Sequence, residues 1–185
     1  MDVLCSVDVA PVRAEPRDDA ERVTELLRGE PVRLEERRDG WARIRTAYDY
    51  PGWVRQDDLG GTTGHPVEEA RRFLGTPYLW GGLTEQGIDC SGLVHMAYRR
   101  LGRLVPRDAD QQEDAGMPVA DSELEPGDLI TYAEPGETRA THVAFWLGDG
   151  HILHSTERED VNGVIEETEP PHLRAMRRRA IRLQN

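Results

Sequence analysis

A cysteine at the start of a helical pattern constrains this chain more than any other feature. Residues 75–102 read GTPYLWGGLTEQGIDCSGLVHMAYRRLG, and Cys90 lies between a glycine-rich segment and apolar residues that recur every three or four positions. That spacing predicts an amphipathic helix, and Gly102 is a typical residue at a helix end. The free amides of a helix N-terminus stabilise a thiolate. Cys90 is therefore a candidate nucleophile.

The composition restricts the partners and the compartment. The 185 residues carry a net charge of −12, and an acidic surface disfavours binding to nucleic acids or to anionic membranes. The first residues, MDVLCSVDVA, lack the basic segment of a signal peptide. Cys5 and Cys90 lie in unrelated contexts and do not suggest a disulfide framework. We therefore expect a cytoplasmic protein that binds neither nucleic acid nor membrane. Its oligomeric state is not indicated.

The first 60 residues are typical of a small β-barrel. Short runs with strand character alternate at regular spacing with turn-forming residues, as in all-β domains. The candidate strands are Val3–Val9, Arg22–Leu27, Pro31–Glu35, Trp41–Arg45 and Gly52–Arg55. The glycine-rich segment 61–65 comes next as a predicted linker. We predict one domain over 1–60 and a second over 66–185.

The second domain is predicted to be α+β, with helices packed on an antiparallel sheet. Pro66 precedes a predicted helix, Val67–Leu74, and further helices are predicted from Cys90 and from Asp108 to Asp114. The predicted strands are Leu129–Tyr132, His142–Leu147, His151–Thr156, Val164–Glu167 and Arg177–Leu183.

Two histidines occupy strand positions at which they can meet. The turn Gly148-Asp149-Gly150 between HVAFWL and HILHST predicts a β-hairpin. With a three-residue turn, Leu147 pairs with His151. His142 and His154 are then diagonal neighbours on one face of the hairpin. A two-residue turn would flip one strand and separate them.

These residues suggest a catalytic group. A cysteine nucleophile needs an imidazole base and a partner that orients the base. Cys90, His142 and His154 supply one group of each kind. The alternative is a zinc site formed by the same cysteine and two histidines. Such a site needs a fourth ligand or a water molecule and commonly uses closely spaced ligand pairs, which this sequence lacks.

A family resemblance is carried by the motifs PYLWGG, GIDCSGLV, PGDLI, THVAFWLGDG and HILHST. In this order and spacing they resemble the NlpC/P60 family of cysteine peptidases over about residues 66–183. The segment VRAEPRDDAERVTELLRGEPVRLEERRDGWARI, with the later YPGWVRQDDL, resembles a bacterial SH3 domain. The resemblance implies a papain-like NlpC/P60 domain preceded by a small SH3-like β-barrel.

The resemblance also implies roles for individual residues. Cys90 matches the nucleophile, His142 the base and His154 the third, polar member. The implied substrate-binding residues are Tyr78, Asp89, Ser91, Arg107 and Asp108, with Glu15 and Tyr50 from the SH3-like domain. Asp89 would face a substrate amine, and Arg107 a substrate carboxylate. Purely structural roles remain open: Asp89 as a helix cap and Arg107 as a surface ion pair.

The implied activity is that of a cysteine peptidase without metal or cofactor. In the subgroup with an SH3 domain, the substrate is a peptidoglycan-derived peptide with a free N-terminal L-alanine. Cleavage of the γ-D-glutamyl-L-diamino-acid bond releases L-Ala-D-Glu, a step in cell-wall peptide recycling. The alternatives are an endo-acting wall hydrolase, another amidase or acyltransferase on this scaffold, and a module that only binds wall peptides.

Overall fold

The chain divides into two compact units, residues 1–63 with Arg99–Arg103 and residues 64–98 with 104–185. A computed structural model describes residues 2–60 and 64–183. Gly61, Thr62 and Thr63 of the predicted linker therefore lie outside the described residues. The predicted boundaries, 1–60 and 66–185, differ from this division in assigning 99–103 to the second domain.

The first unit contains a seven-stranded antiparallel sheet with the strand order β3-β2-β6-β5-β4-β1-β7. Its strands are β1 (Asp2–Cys5), β2 (Val9–Arg13), β3 (Arg22–Leu27), β4 (Pro31–Arg38), β5 (Trp41–Thr46), β6 (Pro51–Arg55) and β7 (Leu59–Gly60), with a 3-10 helix at Gln56–Asp58. Val3–Val9, predicted as one strand, is divided between two. The reason is that β1 pairs with β4 and β7, whereas β2 pairs with β3 and β6.

One buried apolar cluster forms the core of this unit. Its members come from six of the seven strands, because alternate side chains of a strand point to the same face. They are Cys5, Ala10, Val12, Leu26, Val32, Ala42, Ile44 and Val54. The unit agrees with the predicted SH3-like fold.

The second unit combines a six-stranded antiparallel sheet with four helices among its described residues. The helices are α1 (Pro66–Arg71), α2 (Cys90–Arg99), α3 (Ala109–Ala115) and α4 (Pro171–Ala175), with a 3-10 helix at Asp121–Glu123. The strands are β8 (Leu83–Thr84), β9 (Gly87–Ile88), β10 (Met117–Pro118), β11 (Leu129–Tyr132), β12 (His142–Gly148), β13 (His151–Arg158), β14 (Val161–Thr168) and β15 (Arg177–Arg182). The sheet order is β10-β15-β11-β12-β13-β14, and β8 pairs with β9 separately. The predicted α+β class is confirmed.

Helix α1 ends three residues earlier than predicted. His65 caps its start, where Nδ1 accepts a hydrogen bond from the Val67 amide at 3.3 Å. After Arg71 the chain tightens: the amides of Phe73 and Leu74 bond to carbonyls three residues back rather than four. Gly75 then takes a positive φ of 81°, a conformation that glycine adopts at little cost.

Helix α2 is held against the middle of the sheet by its apolar face. Leu93, Val94, Ala97 and Tyr98 join one buried cluster that includes residues of β11, β12, β13 and β14. The ring of Tyr98 stacks on that of Phe145, with centroids 6.3 Å apart. This packing fixes the helix start beside β12.

The β12–β13 hairpin has a two-residue turn, not the predicted three-residue one. Gly148, rather than Leu147, pairs with His151. A β-bulge between Trp146 and Gly148 places one extra, unpaired residue in β12 and so shifts the register by one residue. Beyond it Phe145 lies opposite Leu153, which is the register expected for the histidines.

We expect Leu153→Ala to lower the free energy of unfolding by about 2–5 kcal/mol, because it leaves a cavity in a packed core. Leu153 is completely buried and joins the cluster under α2. Equilibrium urea unfolding measures the change. Leu104→Ala is the control, since Leu104 is 84% exposed and should change stability by less than about 0.5 kcal/mol. Equal effects of the two substitutions would contradict the assigned core.

Candidate active site

The two hairpin histidines contact each other directly. His142 Nε2 lies 2.8 Å from His154 Nδ1, and the rings meet edge to face with centroids 5.1 Å apart. His154 is completely buried. Its other nitrogen, Nε2, lies 2.9 Å from a carboxylate oxygen of Glu167 on β14. The ring of Tyr132 packs against His142 at 5.7 Å.

Cys90 is the first residue of α2 and is almost completely buried. It belongs to the same buried cluster as Val143, the residue that comes after His142 on β12. Two residues before Cys90, the carbonyl of Ile88 accepts a hydrogen bond from the Ser155 hydroxyl on β13 at 2.7 Å. The start of α2 therefore lies against β12 and β13, the strands that carry His142 and His154.

Burial disfavours an isolated charge on either Cys90 or His142. It raises the pKa of Cys90 to about 11, although hydrogen bonds from the backbone of Val143, Ser91 and Cys90 itself oppose the rise. Burial, with smaller effects of His154 and His172, lowers the pKa of His142 to about 3. Burial therefore opposes the thiolate that the start of α2 favours.

Asp89 caps α2 and binds Arg107. Its carboxylate accepts hydrogen bonds from the amides of Gly81 and Gly92, each at 2.7 Å. Arg107 donates to both Asp89 oxygens, at 2.9 and 2.7 Å, and also to the Ser91 hydroxyl at 2.9 Å. The two charges predicted to bind separate substrate groups are thus paired with each other. The alternative role of Asp89 as a helix cap is present in the structure.

The glycines around this carboxylate allow close approach of backbone segments. A Cβ at Gly92 would lie 2.5 Å from the carbonyl of Gly82 and 2.8 Å from Asp89 Oδ1. A Cβ at Gly82 would lie 2.3 Å from the carbonyl of Gly87. Gly81 has a positive φ of 76°. A glycine at each of these positions is therefore explained by the conformation and close packing of the backbone around Asp89.

Tyr78 is held beside the cysteine by its backbone. Its amide donates to the side-chain oxygen of Asn162 at 2.8 Å, and the residue bridges to Ile88. Burial, with the nearby Cys90 and Asp89, raises the pKa of Tyr78 to about 12. The hydroxyl therefore stays protonated at neutral pH and can donate a hydrogen bond.

One cleft of about 1160 Å³ brings most of the predicted residues together. Those on its wall are Tyr78, Asp89, Cys90, Ser91, Arg107, Asp108 and His142. His154 lies behind His142. Glu15 and Tyr50 belong to the first unit, where Glu15 pairs with Arg17 and Tyr50 lies against Tyr48. Their role at the cleft stays a prediction.

Sequence reasoning missed Glu167 and Arg158. Arg158 donates two hydrogen bonds to Glu167, at 2.7 and 2.8 Å, and it lines the cleft. The alternation of side chains along paired strands could have indicated Glu167. His154 pairs with Ile165 on β14, so Glu167, two residues further along β14, is the diagonal neighbour of His154 on the same face. That step needs the β13–β14 register, which no motif indicated.

Among residues 2–60 and 64–183, no three histidine, cysteine, aspartate or glutamate side chains are grouped so as to hold a metal ion. Nε2 of His142 and Nδ1 of His154 point at each other. Within the same ranges, no helix is both long and apolar enough to cross a membrane.

We expect the alkylation rate of Cys90 by iodoacetamide to keep rising about tenfold per pH unit between about pH 8 and 10. The reason is that a thiolate forms in proportion to pH below the thiol pKa, which here is about 11. An ordinary cysteine would level off near pH 8.5. Mass spectrometry with Cys90→Ser as the control separates this label from any on Cys5. A rate already constant from pH 6 to 8 would show a thiolate formed at rest.

We expect Asp89→Ala to lower the free energy of unfolding by about 3 kcal/mol, because it leaves Arg107 without its partner and removes a helix cap. Urea unfolding measures the loss. The control is Asp110→Ala, which removes an ion pair with Arg139, a side chain 79% exposed, and should cost less than about 1 kcal/mol. A cost for Asp89→Ala no larger than that of the control would contradict the assigned network.

Two bacterial proteins with sequences similar to this chain share one name. A gamma-D-glutamyl-L-lysine dipeptidyl-peptidase of Bacillus subtilis is 34% identical over 146 residues, which cover 75% of this chain and 49% of the relative. One of the same name from Bacillus cereus is 36% identical over 108 residues, covering 58% of this chain and 32% of that protein. The chain thus spans about half or less of the length of these relatives.

The fold has a solved counterpart. The crystal structure of an NlpC/P60 family protein from Bacillus cereus matches with a TM-score of 0.68 and 26% identity, over 98% of this chain and 63% of that one. Residues 12–59 match the family model described as the bacterial dipeptidyl-peptidase Sh3 domain. Residues 75–182, which contain Cys90 and both histidines of the pair, match the model of the NlpC/P60 family. This chain belongs to the NlpC/P60 family.

Proposed function

We propose that this chain is a cysteine peptidase acting on peptidoglycan-derived peptides with a free N-terminal L-alanine. It would cleave the γ-D-glutamyl-L-diamino-acid bond and release L-Ala-D-Glu. The observation that carries the proposal is the contact between His142 and His154 behind a cleft whose wall includes Cys90 and His142. The relatives named gamma-D-glutamyl-L-lysine dipeptidyl-peptidases support the substrate class.

The first half of the proposed reaction forms a thioester. His142 takes the proton of Cys90 as the sulfur attacks the γ-carbonyl carbon of D-glutamate. Because burial disfavours either charge alone, the proton transfer and the attack are coupled. His154 orients the imidazole throughout. The imidazolium then protonates the departing amine of the diamino acid, and the C–N bond breaks.

The oxyanion of the tetrahedral intermediate needs donors at the helix start. The Cys90 amide belongs to the first turn of α2, where amides lack helical partners. The Tyr78 hydroxyl is protonated and lines the same cleft. Removal of one donor of this kind costs on the order of 10²–10³ in rate. Water activated by His142 then hydrolyses the thioester, and no cofactor takes part.

Substrate recognition is assigned to the charged wall of the cleft. Arg107 and Ser91, both held by hydrogen bonds in the Asp89 network, are proposed to bind the α-carboxylate of D-glutamate. Asp108, and Asp89 where a substrate competes with Arg107 for it, are proposed to attract the N-terminal ammonium. Glu15 and Tyr50 are proposed to close the amine end, on the strength of the family resemblance alone.

The recycling role and the cytoplasmic placement belong to the same proposal. Both Cys5 and Cys90 are free thiols, which fits a reducing compartment. A peptide with a free L-alanine amine is a product of earlier wall degradation rather than intact wall. Fractionation of the producing cells tests the placement.

The test is a mass-spectrometric assay with L-Ala-γ-D-Glu-L-lysine, its diaminopimelate counterpart and the N-acetylated form of each. We expect cleavage of the free-amine peptides alone, with release of L-Ala-D-Glu. Cys90→Ala should lower kcat on the order of 10⁴–10⁶-fold, because the nucleophile is lost. Full turnover by that variant would refute the mechanism.

The other outcomes separate the alternatives. Equal cleavage of acetylated and free peptides would leave the cysteine chemistry intact but assign an endo-acting wall hydrolase. Binding of every peptide without cleavage would favour a module that only binds wall peptides. A preference between lysine and diaminopimelate would name the diamino acid.

A further inference from the structure

We propose that Glu167, held by Arg158, is a positioning residue that sets the tautomers of both histidines and so presents the unprotonated Nδ1 of His142 to Cys90. The inference rests on the proposed function, because it concerns the base of that reaction. It adds two residues to the site that neither the motifs nor the family resemblance assigned.

The contacts form one continuous chain across three strands. His142 on β12 contacts His154 on β13 through Nε2 and Nδ1, 2.8 Å apart. The Nε2 of His154 lies 2.9 Å from Oε1 of Glu167 on β14. Arg158, at the end of β13, donates to both oxygens of Glu167. Every bond in the chain has the length of a normal hydrogen bond.

The direction of each hydrogen bond is fixed by what the end groups can do. An ionised carboxylate only accepts, and a guanidinium only donates. His154 must therefore carry its proton on Nε2, where it donates to Glu167. A neutral imidazole has one proton, so His154 Nδ1 is an acceptor, and His142 must donate to it from Nε2. That leaves Nδ1 of His142 with a free lone pair.

The protonation states that these bonds require are favoured by the surroundings. Burial lowers the pKa of His154 below its usual range, although the hydrogen bond to Glu167 opposes the shift. Burial alone would raise the pKa of Glu167, but hydrogen bonds from Arg158 and His154 bring it below its usual range. At neutral pH the carboxylate is charged and His154 carries a single ring proton.

The consequence concerns the nitrogen of His142 that accepts the thiol proton in the proposed reaction. Its Nε2 is occupied by His154, so only Nδ1 remains to accept the proton of Cys90. With the opposite tautomers, Nδ1 of His142 would carry a proton and the ring could not act as a base. Arg158 keeps the carboxylate charged and in place, since it binds both oxygens while Glu167 is only partly exposed.

The experiment reads the tautomers directly. Long-range ¹H–¹⁵N spectra of protein labelled at histidine distinguish protonated from unprotonated ring nitrogens, and spectra of His142→Gln and His154→Gln assign the signals. In the unsubstituted protein we expect both histidines as the Nε2–H tautomer at neutral pH. In Glu167→Gln, whose amide can also donate, we expect a mixture or reversal of tautomers at both rings.

Peptide kinetics on the same proteins supply the second readout. We expect Glu167→Gln to lower kcat on the order of 10–100-fold, as the loss of an outer hydrogen-bond partner does, with KM unchanged because Glu167 lies behind His154. Glu166→Gln is the matched control. Glu166 is the next residue of β14, on the opposite face, and also pairs with an arginine, Arg71, so tautomers and kcat should stay as in the unsubstituted protein.

Three results would overturn the proposal: His142 found as the Nδ1–H tautomer in the unsubstituted protein, tautomers unchanged in Glu167→Gln, or equal kinetic effects of Glu167→Gln and Glu166→Gln. The first does not depend on whether Glu167→Gln folds. If the unsubstituted protein cleaved no peptide, the proposed function would fail, whereas the ¹⁵N spectra would still decide the tautomers.

Discussion

The carboxylate of Asp89 holds together segments that the chain order keeps apart. It accepts from the turn at Gly81, from the first turn of α2 at Gly92 and from Arg107 beyond the end of that helix. Cys90 is the next residue, so the position of its sulfur depends on this one group. A charged acceptor satisfied by several donors is rigid. Cys90 is therefore placed by electrostatics on one side and by the apolar packing of α2 on the other.

The buried surroundings explain why a chain of hydrogen bonds is needed at all. A thiol and an imidazole taken out of water are both neutral at rest, and a neutral imidazole is useful as a base only in one of its two tautomers. The histidine pair and the carboxylate behind it remove that ambiguity by geometry alone.

Local periodicity was enough to predict the helix that begins at Cys90 and the contact between His142 and His154. The spacing of Leu93, Val94 and Ala97 placed Cys90 at a helix start, and alternation along two strands placed His142 beside His154. Tertiary contacts could not be predicted in this way: Asp89 and Arg107 were each assigned to a substrate group, and no local pattern indicated that they also bind each other. Likewise, no local pattern indicates the burial of Cys90, which raises the pKa of its thiol and so opposes the effect of the helix start. The SH3-like unit and the family were recognisable from short motifs, but the division of Val3–Val9 reflects sheet partners far along the chain.

The bulge in the β12–β13 hairpin has a consequence for how this scaffold tolerates change. Because side chains alternate along a strand, the parity of the residue count between the two histidines decides whether they share a face. The bulge makes an even turn compatible with the pairing of Phe145 and Leu153. Removal of the bulge with Gly148 still paired with His151 would place Phe145 opposite His154. His142 and His154 would then lie on opposite faces of the hairpin. The histidine contact therefore depends on one extra residue of β12 that lies several positions away from either ring.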